Sequence, residues 1–116
     1  MGRDSGLDEH VGQARAHTAA QGPQALKVVL YRRAVLDLLR LETWLIDKSP
    51  TASKKAIALI ESSLDSLTEM PQRGYNVAGG IKQLRVPFGK RSYVIRYRIW
   101  RDEVQVLRIF HGLEDR

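Results

Sequence analysis

The side chains with most chemistry to offer lie in the last third of the chain. Arg85, Lys90, Arg91, Arg96, Arg98 and Arg108 follow one another there, and His111 stands just before Gly112. A guanidinium grips a phosphate with two parallel donors and can stabilise the charge that builds up in a cleavage transition state. Arg85, Lys90, Arg91 and Arg108 together can hold a phosphodiester backbone. His111 can give and take a proton near neutral pH. Each of these residues also has a plainer role open to it. Arg108 lies in an apolar run, where a buried cation needs a partner, and a helix carboxylate is expected ahead of an outside anion. His111 can be a hydrogen-bonding residue at a strand end, and the remaining cations a solvated rim that an acidic protein covers. No phosphate-binding glycine loop, metal-ligand cluster or nucleophile motif occurs, and Gly79-Gly80 is too short to count. His10 and His17 can share a helix face, but no third ligand lies near them. No metal and no cofactor are therefore expected.

The elements that must position these residues can be read from hydrophobic period. Tyr93–Gly112 reads as two apolar strands joined by a tight turn at Arg101-Asp102. In the first, Tyr93, Ile95, Tyr97 and Ile99 share the core face, leaving Val94, Arg96, Arg98 and Trp100 on the other. Unbroken alternation in the second groups Leu107, Ile109 and His111 against Val104, Val106, Arg108 and Phe110. Both sets are mostly apolar, so this strand is expected at the centre of a sheet. Ile81–Val86 is a preceding strand, with Lys82, Leu84 and Val86 on one face and Ile81, Gln83 and Arg85 on the other. Gly79-Gly80 reads as a break before it. Upstream, Tyr31–Lys48 carries a helical stripe through Ala34, Leu38, Leu41 and Leu45, which Leu39 and Ile46 widen. Ser49-Pro50 both stops that helix and starts the next, since Ser caps and Pro fits the first helical position. The second helix runs to about Met70 with Ala56, Ile57, Ile60, Leu64 and Leu67 inward. Ala25–Leu30 is a first strand at the sheet edge. The expected fold is a two-layer α+β domain of order β-α-α-β-β-β, a helical hairpin on a small antiparallel sheet. Trp44, on the first helix, suits packing or a partner contact.

Length and charge narrow the possibilities. At 116 residues the chain is one domain with a tail. Residues 1–24 are punctuated by glycines and carry no sustained period, so they read as an extension to a domain at 25–116. There is no cysteine, which excludes disulfides, thiolate metal sites and thiol chemistry. No run approaches the roughly 20 apolar residues of a membrane span, and MGRDSGLDEH lacks a signal core. A cytoplasmic protein with no membrane role is expected. The net charge is +6, and residues 71–116, with ten basic and four acidic side chains, account for all of it. Such a basic half favours an acidic partner, either nucleic acid or an acidic protein segment.

Taken in order, these residues resemble the RelE/ParE superfamily of toxins from bacterial type II toxin–antitoxin modules. The likeness covers about residues 26–115. It rests on Ala34, Asp37-Leu38 and Ile46, then Ser49-Pro50-Thr51-Ala52, then Ile60, Leu64 and Leu67 with Pro71 and Gly74. It continues through Leu84-Arg85, Tyr93–Arg98 and Val106–Gly112. The ending HGLEDR looks closer to the ParE branch. The resemblance implies the fold just derived and a cognate antitoxin, ParD-like or similar, in a hetero-oligomer. The antitoxin would wrap the helical hairpin and sheet, with Leu38, Trp44, Leu45, Ile95 and Tyr97 as its contacts. ParE-like toxins block DNA gyrase, whereas RelE-like toxins cut mRNA in the ribosome. On the ribonuclease reading, Arg85 and Arg108 match the positions of such arginines, and His111 lies near the acid of some relatives. Only Lys82 stands where those enzymes are lysine-rich, and no tyrosine follows Gly112. The expected function is therefore gyrase inhibition, with Arg85, Lys90, Arg91, Arg96 and Arg98 meeting the target or nucleic acid. Ribosome-dependent mRNA cleavage is the alternative, and a degenerate toxin that only binds its antitoxin is the third.

Overall fold

The structure, a computed structural model, describes residues 26–112. The expected extension over 1–24, with His10 and His17, and the ending Leu113–Arg116 lie outside the described residues. The order is β1 (Lys27–Leu30), α1 (Arg32–Lys48), α2 (Pro50–Ser66), β2 (Tyr75–Ala78), β3 (Ile81–Phe88), β4 (Arg91–Trp100) and β5 (Glu103–His111). The strands form one sheet in the order β1-β5-β4-β3-β2. The helical hairpin lies on one face of it, giving the expected α+β layers.

The helices end where local chemistry ends them. Ser49 donates its N–H to Leu45 O, closing α1, and its Oγ accepts from Ala52 N at 3.2 Å, opening α2. Pro50 takes the first helical position, where its missing N–H costs nothing. From α1, Ala34, Leu38, Leu41 and Leu45 face the sheet; from α2, Ala56, Ile60 and Leu64 do. Beneath them lie Val28, Leu30, Leu84, Val86, Tyr93, Ile95, Tyr97 and Ile109. Burying a side chain such as Ile60 contributes about 2 kcal/mol. Helix α2 stops at Ser66, a turn short of the expected Met70. Thr68 turns the chain by donating its hydroxyl to Asp65 O at 2.9 Å.

Three sheet features depart from the sequence reading. First, the sheet is mixed, because the edge strand β1 pairs in parallel with its neighbour β5. Second, there is a fifth strand, β2, antiparallel to β3. It was hidden because all four of its residues are exposed and show no alternation. Gly79-Gly80 is not a break but the two-residue turn of this hairpin, with φ of 49° and 81°. That left-handed pair is what a tight hairpin turn requires and glycine supplies. Third, β5 does not alternate throughout. Tyr97 pairs with Val106, but Arg96 pairs with Arg108, so Leu107 is an extra residue. This bulge shifts the phase. Val104 and Val106 join Ile109 in the core instead of lying opposite it.

Candidate functional site

The bulge sets up the first polar cluster. Strand β1 covers β5 only as far as Val106. Beyond that point Asp37 of α1 takes the place of a neighbouring strand. Its Oδ2 accepts from Ile109 N at 2.9 Å and from Arg108 Nε at 2.7 Å. Its Oδ1 accepts from Arg108 Nη2 at 3.2 Å. Arg40 approaches the same carboxylate at 3.7 Å. Asp37 is only 4% exposed, so this carboxylate is retained in the core by being fully engaged. The helix carboxylate expected for Arg108 is thus Asp37.

The sheet face turned away from the helices carries Arg85, Arg96 and Arg98. Arg96 donates through Nε and Nη2 to Gln83 Oε1, at 3.1 and 2.9 Å, and lies 4.9 Å above the Phe110 ring. Gln83 in turn donates to the Tyr75 hydroxyl at 3.1 Å. Arg98 Nε donates to Gln105 Oε1 at 2.7 Å, and Gln105 donates to Glu103 at 3.0 Å. Arg85 donates to Ser92 Oγ at 2.8 Å. In each case a neutral oxygen orients the guanidinium. Among the described residues no carboxylate contacts these groups to cancel their charge, which suits them to an anion from outside.

The remaining candidates lie elsewhere. His111 pairs with Tyr93 across β4 and β5, and its ring stands edge-on to Tyr93 at 5.5 Å. Strand alternation puts it on the face opposite Arg85. Register puts Arg108, opposite Arg96, on the same sheet face as Arg85, but its guanidinium is held by Asp37, and His111 lies on the other face. Lys90 and Arg91 sit at the β3–β4 turn, where Gly89 has φ 62°. They open towards Trp44 on the helical side, not towards Arg96 and Arg98. Among the described residues, no three His, Asp or Glu side chains gather as a metal site, and no helix is long and apolar enough to cross a membrane.

The expected antitoxin contacts need correction. Leu38, Ile95 and Tyr97 are buried in the core and cannot meet a partner on the folded protein, and Leu45, 7% exposed, only reaches the floor of the cleft beside Trp44. Tyr97 has an internal task instead. Its hydroxyl donates to Pro71 O at 2.7 Å and accepts from Gly74 N at 2.9 Å, tying the loop after α2 to the sheet. Burial raises its phenol pKa above the ordinary value, opposed by the Gly74 hydrogen bond and the charge of Arg73. Trp44 alone of the five is open, at 45% exposure. With it, Leu36, Leu39 and Ile46 are exposed by 47%, 50% and 50%, lining a groove on the outer side of α1. The sequence carried a signal for this surface. Leu36, Leu39, Thr43 and Ile46 form a second stripe at helical spacing, and one helix cannot turn two stripes to one sheet.

Comparison with known proteins adds to the geometry. The profile of the ParE toxin of type II toxin-antitoxin system, parDE, matches residues 28–116. Toxin RelE1 of Caulobacter vibrioides is 45% identical over 89 residues, spanning 77% of this chain and 96% of that protein. Toxin RelE3 of the same organism is 38% identical over 89 residues, spanning 77% and 97%. A solved structure described as the chromosomal ParDE TA system from P. aeruginosa superposes with a TM-score of 0.59. Its sequence identity is 21%, and the match covers 71% of this chain and 90% of that one. At that identity the superposition speaks for the fold alone.

Proposed function

The chain belongs to the ParE toxin family of type II toxin–antitoxin systems, and from that membership we propose that it arrests growth by inhibiting DNA gyrase. A toxin of this class has an antitoxin partner. Here that partner is proposed to cover the outer stripe of α1, with Leu36, Leu39, Trp44 and Ile46 as its apolar seat. Arg85, Arg96 and Arg98 on the outer sheet face are proposed to meet the target in the cytoplasm. One observation carries the choice of gyrase over mRNA. A ribonuclease must bring its acid, base and charge-stabilising groups to one phosphodiester. Arg108 is engaged by Asp37, Arg85 by Ser92 on one sheet face, and His111 packs on Tyr93 on the other.

Ribosome-dependent mRNA cleavage is the second reading. The name RelE borne by the relatives favours it, as do the guanidinium groups oriented by neutral oxygens. Purified toxin should be given to gyrase in a supercoiling assay and to a translation extract in parallel. Loss of supercoiling with intact mRNA is the expected result. Cleaved mRNA with unaffected gyrase, abolished by Arg85→Ala and His111→Ala, would transfer the protein to the second reading. A chain inert in both assays that still binds its antitoxin would be a degenerate toxin.

A further inference from the structure

Two-residue turns join β2 to β3, β3 to β4 and β4 to β5: Gly79-Gly80, Gly89-Lys90 and Arg101-Asp102. The last two are built alike. Phe88 pairs with Arg91 and Trp100 with Glu103, and the first turn residue has a φ of 62° in Gly89 and 58° in Arg101. A left-handed first residue in such a turn is a place for glycine, because a Cβ there crowds the backbone. Two of the turns follow that rule, and the β4–β5 turn keeps an arginine against it. Among the described residues Arg101 is the only non-glycine with a positive φ. Its guanidinium lies over the Trp100 ring, 5.6 Å from the centroid. Trp100 is 56% exposed, the most open large apolar side chain among the described residues. Alternation along β4 sets it on the sheet face of Arg96 and Arg98. Beneath the pair, Gln105 accepts from Arg98 and donates to Glu103, bracing the two strands.

We propose that the Trp100-Arg101 pair, at the tip of the β4–β5 hairpin, is the anchor by which the toxin grips its protein target. The indole enters an apolar pocket of that target, and the guanidinium meets a carboxylate at the pocket's edge. A guanidinium over one ring face leaves the other face and the ring edge open to a partner. Tryptophan and arginine are the side chains that most often dominate an interface once a partner desolvates them. A backbone conformation that disfavours arginine is retained where the side chain has a task. Asp102 and Glu103 follow the pair directly, and their carboxylates would repel a phosphate chain, which favours protein over nucleic acid. The tip is also remote from the helical side. Trp100 stands seven residues along β4 from Tyr93, roughly 23 Å, and Tyr93 lines the cleft beside Trp44. The inference rests on the reading that the outer sheet face meets the target, and adds which side chains carry the contact.

The test uses two full-length variants. Trp100→Ala removes the indole, and Arg101→Gly removes the guanidinium while giving the turn the residue its φ favours. Each should raise the toxin concentration that half-inhibits supercoiling by purified gyrase about tenfold or more. Antitoxin affinity should stay within about twofold of the unaltered chain. The thermal midpoint of Arg101→Gly should be unchanged or higher, because the turn loses its strain. That combination, a weaker toxin with an equal or firmer fold, is not what a merely structural arginine would give. Undiminished inhibition by both variants overturns the inference and leaves the gyrase reading standing. If the unaltered toxin spares gyrase yet arrests growth, the gyrase reading fails and growth arrest becomes the readout. Weaker arrest by both variants then supports the inference, and equal arrest overturns it. A chain that neither inhibits gyrase nor arrests growth has no target to grip and also overturns it. A matching loss of antitoxin affinity, or a lower midpoint for Arg101→Gly, would make the pair an antitoxin contact or a structural clasp. In a Trp44→Phe variant Trp100 is the sole indole, since the chain has two tryptophans. Saturable quenching of its emission by a single-stranded oligonucleotide would assign the tip to nucleic acid instead.

Discussion

Asp37 and Arg108 show how one side chain can settle the role of another. An arginine in an apolar strand is an anion site or half of an ion pair, and the helix carboxylate makes it the latter. The carboxylate does more than neutralise charge, since it also completes the backbone of β5 at Ile109. Asp37→Ala would leave the Arg108 guanidinium, 21% exposed, and the Ile109 N–H without their acceptor. A loss of about 3 kcal/mol is expected, seen as a lower denaturant midpoint. A loss below about 1 kcal/mol would mean that water replaces the carboxylate readily. Arg96 and Arg98 make the contrast. Their partners are amide oxygens, so orientation is gained and positive charge retained.

At the scale of elements, the helical hairpin hinges on two residues. Ser49 ends α1 and caps α2, and Pro50 begins α2. Ser49→Ala removes the acceptor for Ala52 N, which should cost about 1 kcal/mol. The thermal midpoint should then fall by about 4–8 °C for a domain of this size. An unchanged midpoint would show that packing alone holds the start of α2. Strand β5 is the other decisive element. Its bulge at Leu107 lets Val104, Val106 and Ile109 share the core while Arg108 turns towards α1. Strict alternation puts Val106 and Ile109 on opposite faces, and no property of Leu107 in the sequence announces the extra residue. The β2 strand was legible in principle, because Gly79-Gly80 is a hairpin signal. Its exposed residues supplied no apolar pattern to support that reading.

Across the whole molecule, charge and apolar surface are sorted onto separate faces. The outer sheet face presents Arg85, Arg96 and Arg98, while the outer side of α1 exposes Leu36, Leu39, Trp44 and Ile46, with Arg40 and Asp47 beside them. This separation predicts separable defects. Leu39→Asp or Trp44→Asp alters an exposed side chain, so stability should change by no more than about 0.5 kcal/mol. The same changes should weaken the antitoxin complex by about tenfold or more while growth inhibition persists. Cells carrying such a variant should fail to be rescued by antitoxin co-expression. Full rescue would remove α1 from the proposed antitoxin surface.

The sequence by itself determined the helical hairpin, its hinge at Ser49-Pro50, the inward faces of α2, β3 and β4, the basic second half and the family. These are properties of local period and of short motifs, and each element carries them within itself. Tertiary structure alone decided the direction of β1, the phase change in β5 and the fate of the cations. Arg108 meets its carboxylate 71 residues away, and no local pattern specifies which distant group will lie alongside. The likeness to the family grouped Leu38 and Leu45 with Trp44 as antitoxin contacts, whereas helical period had already put the first two on the inward stripe; packing against the sheet took those two into the core and left Trp44 outside.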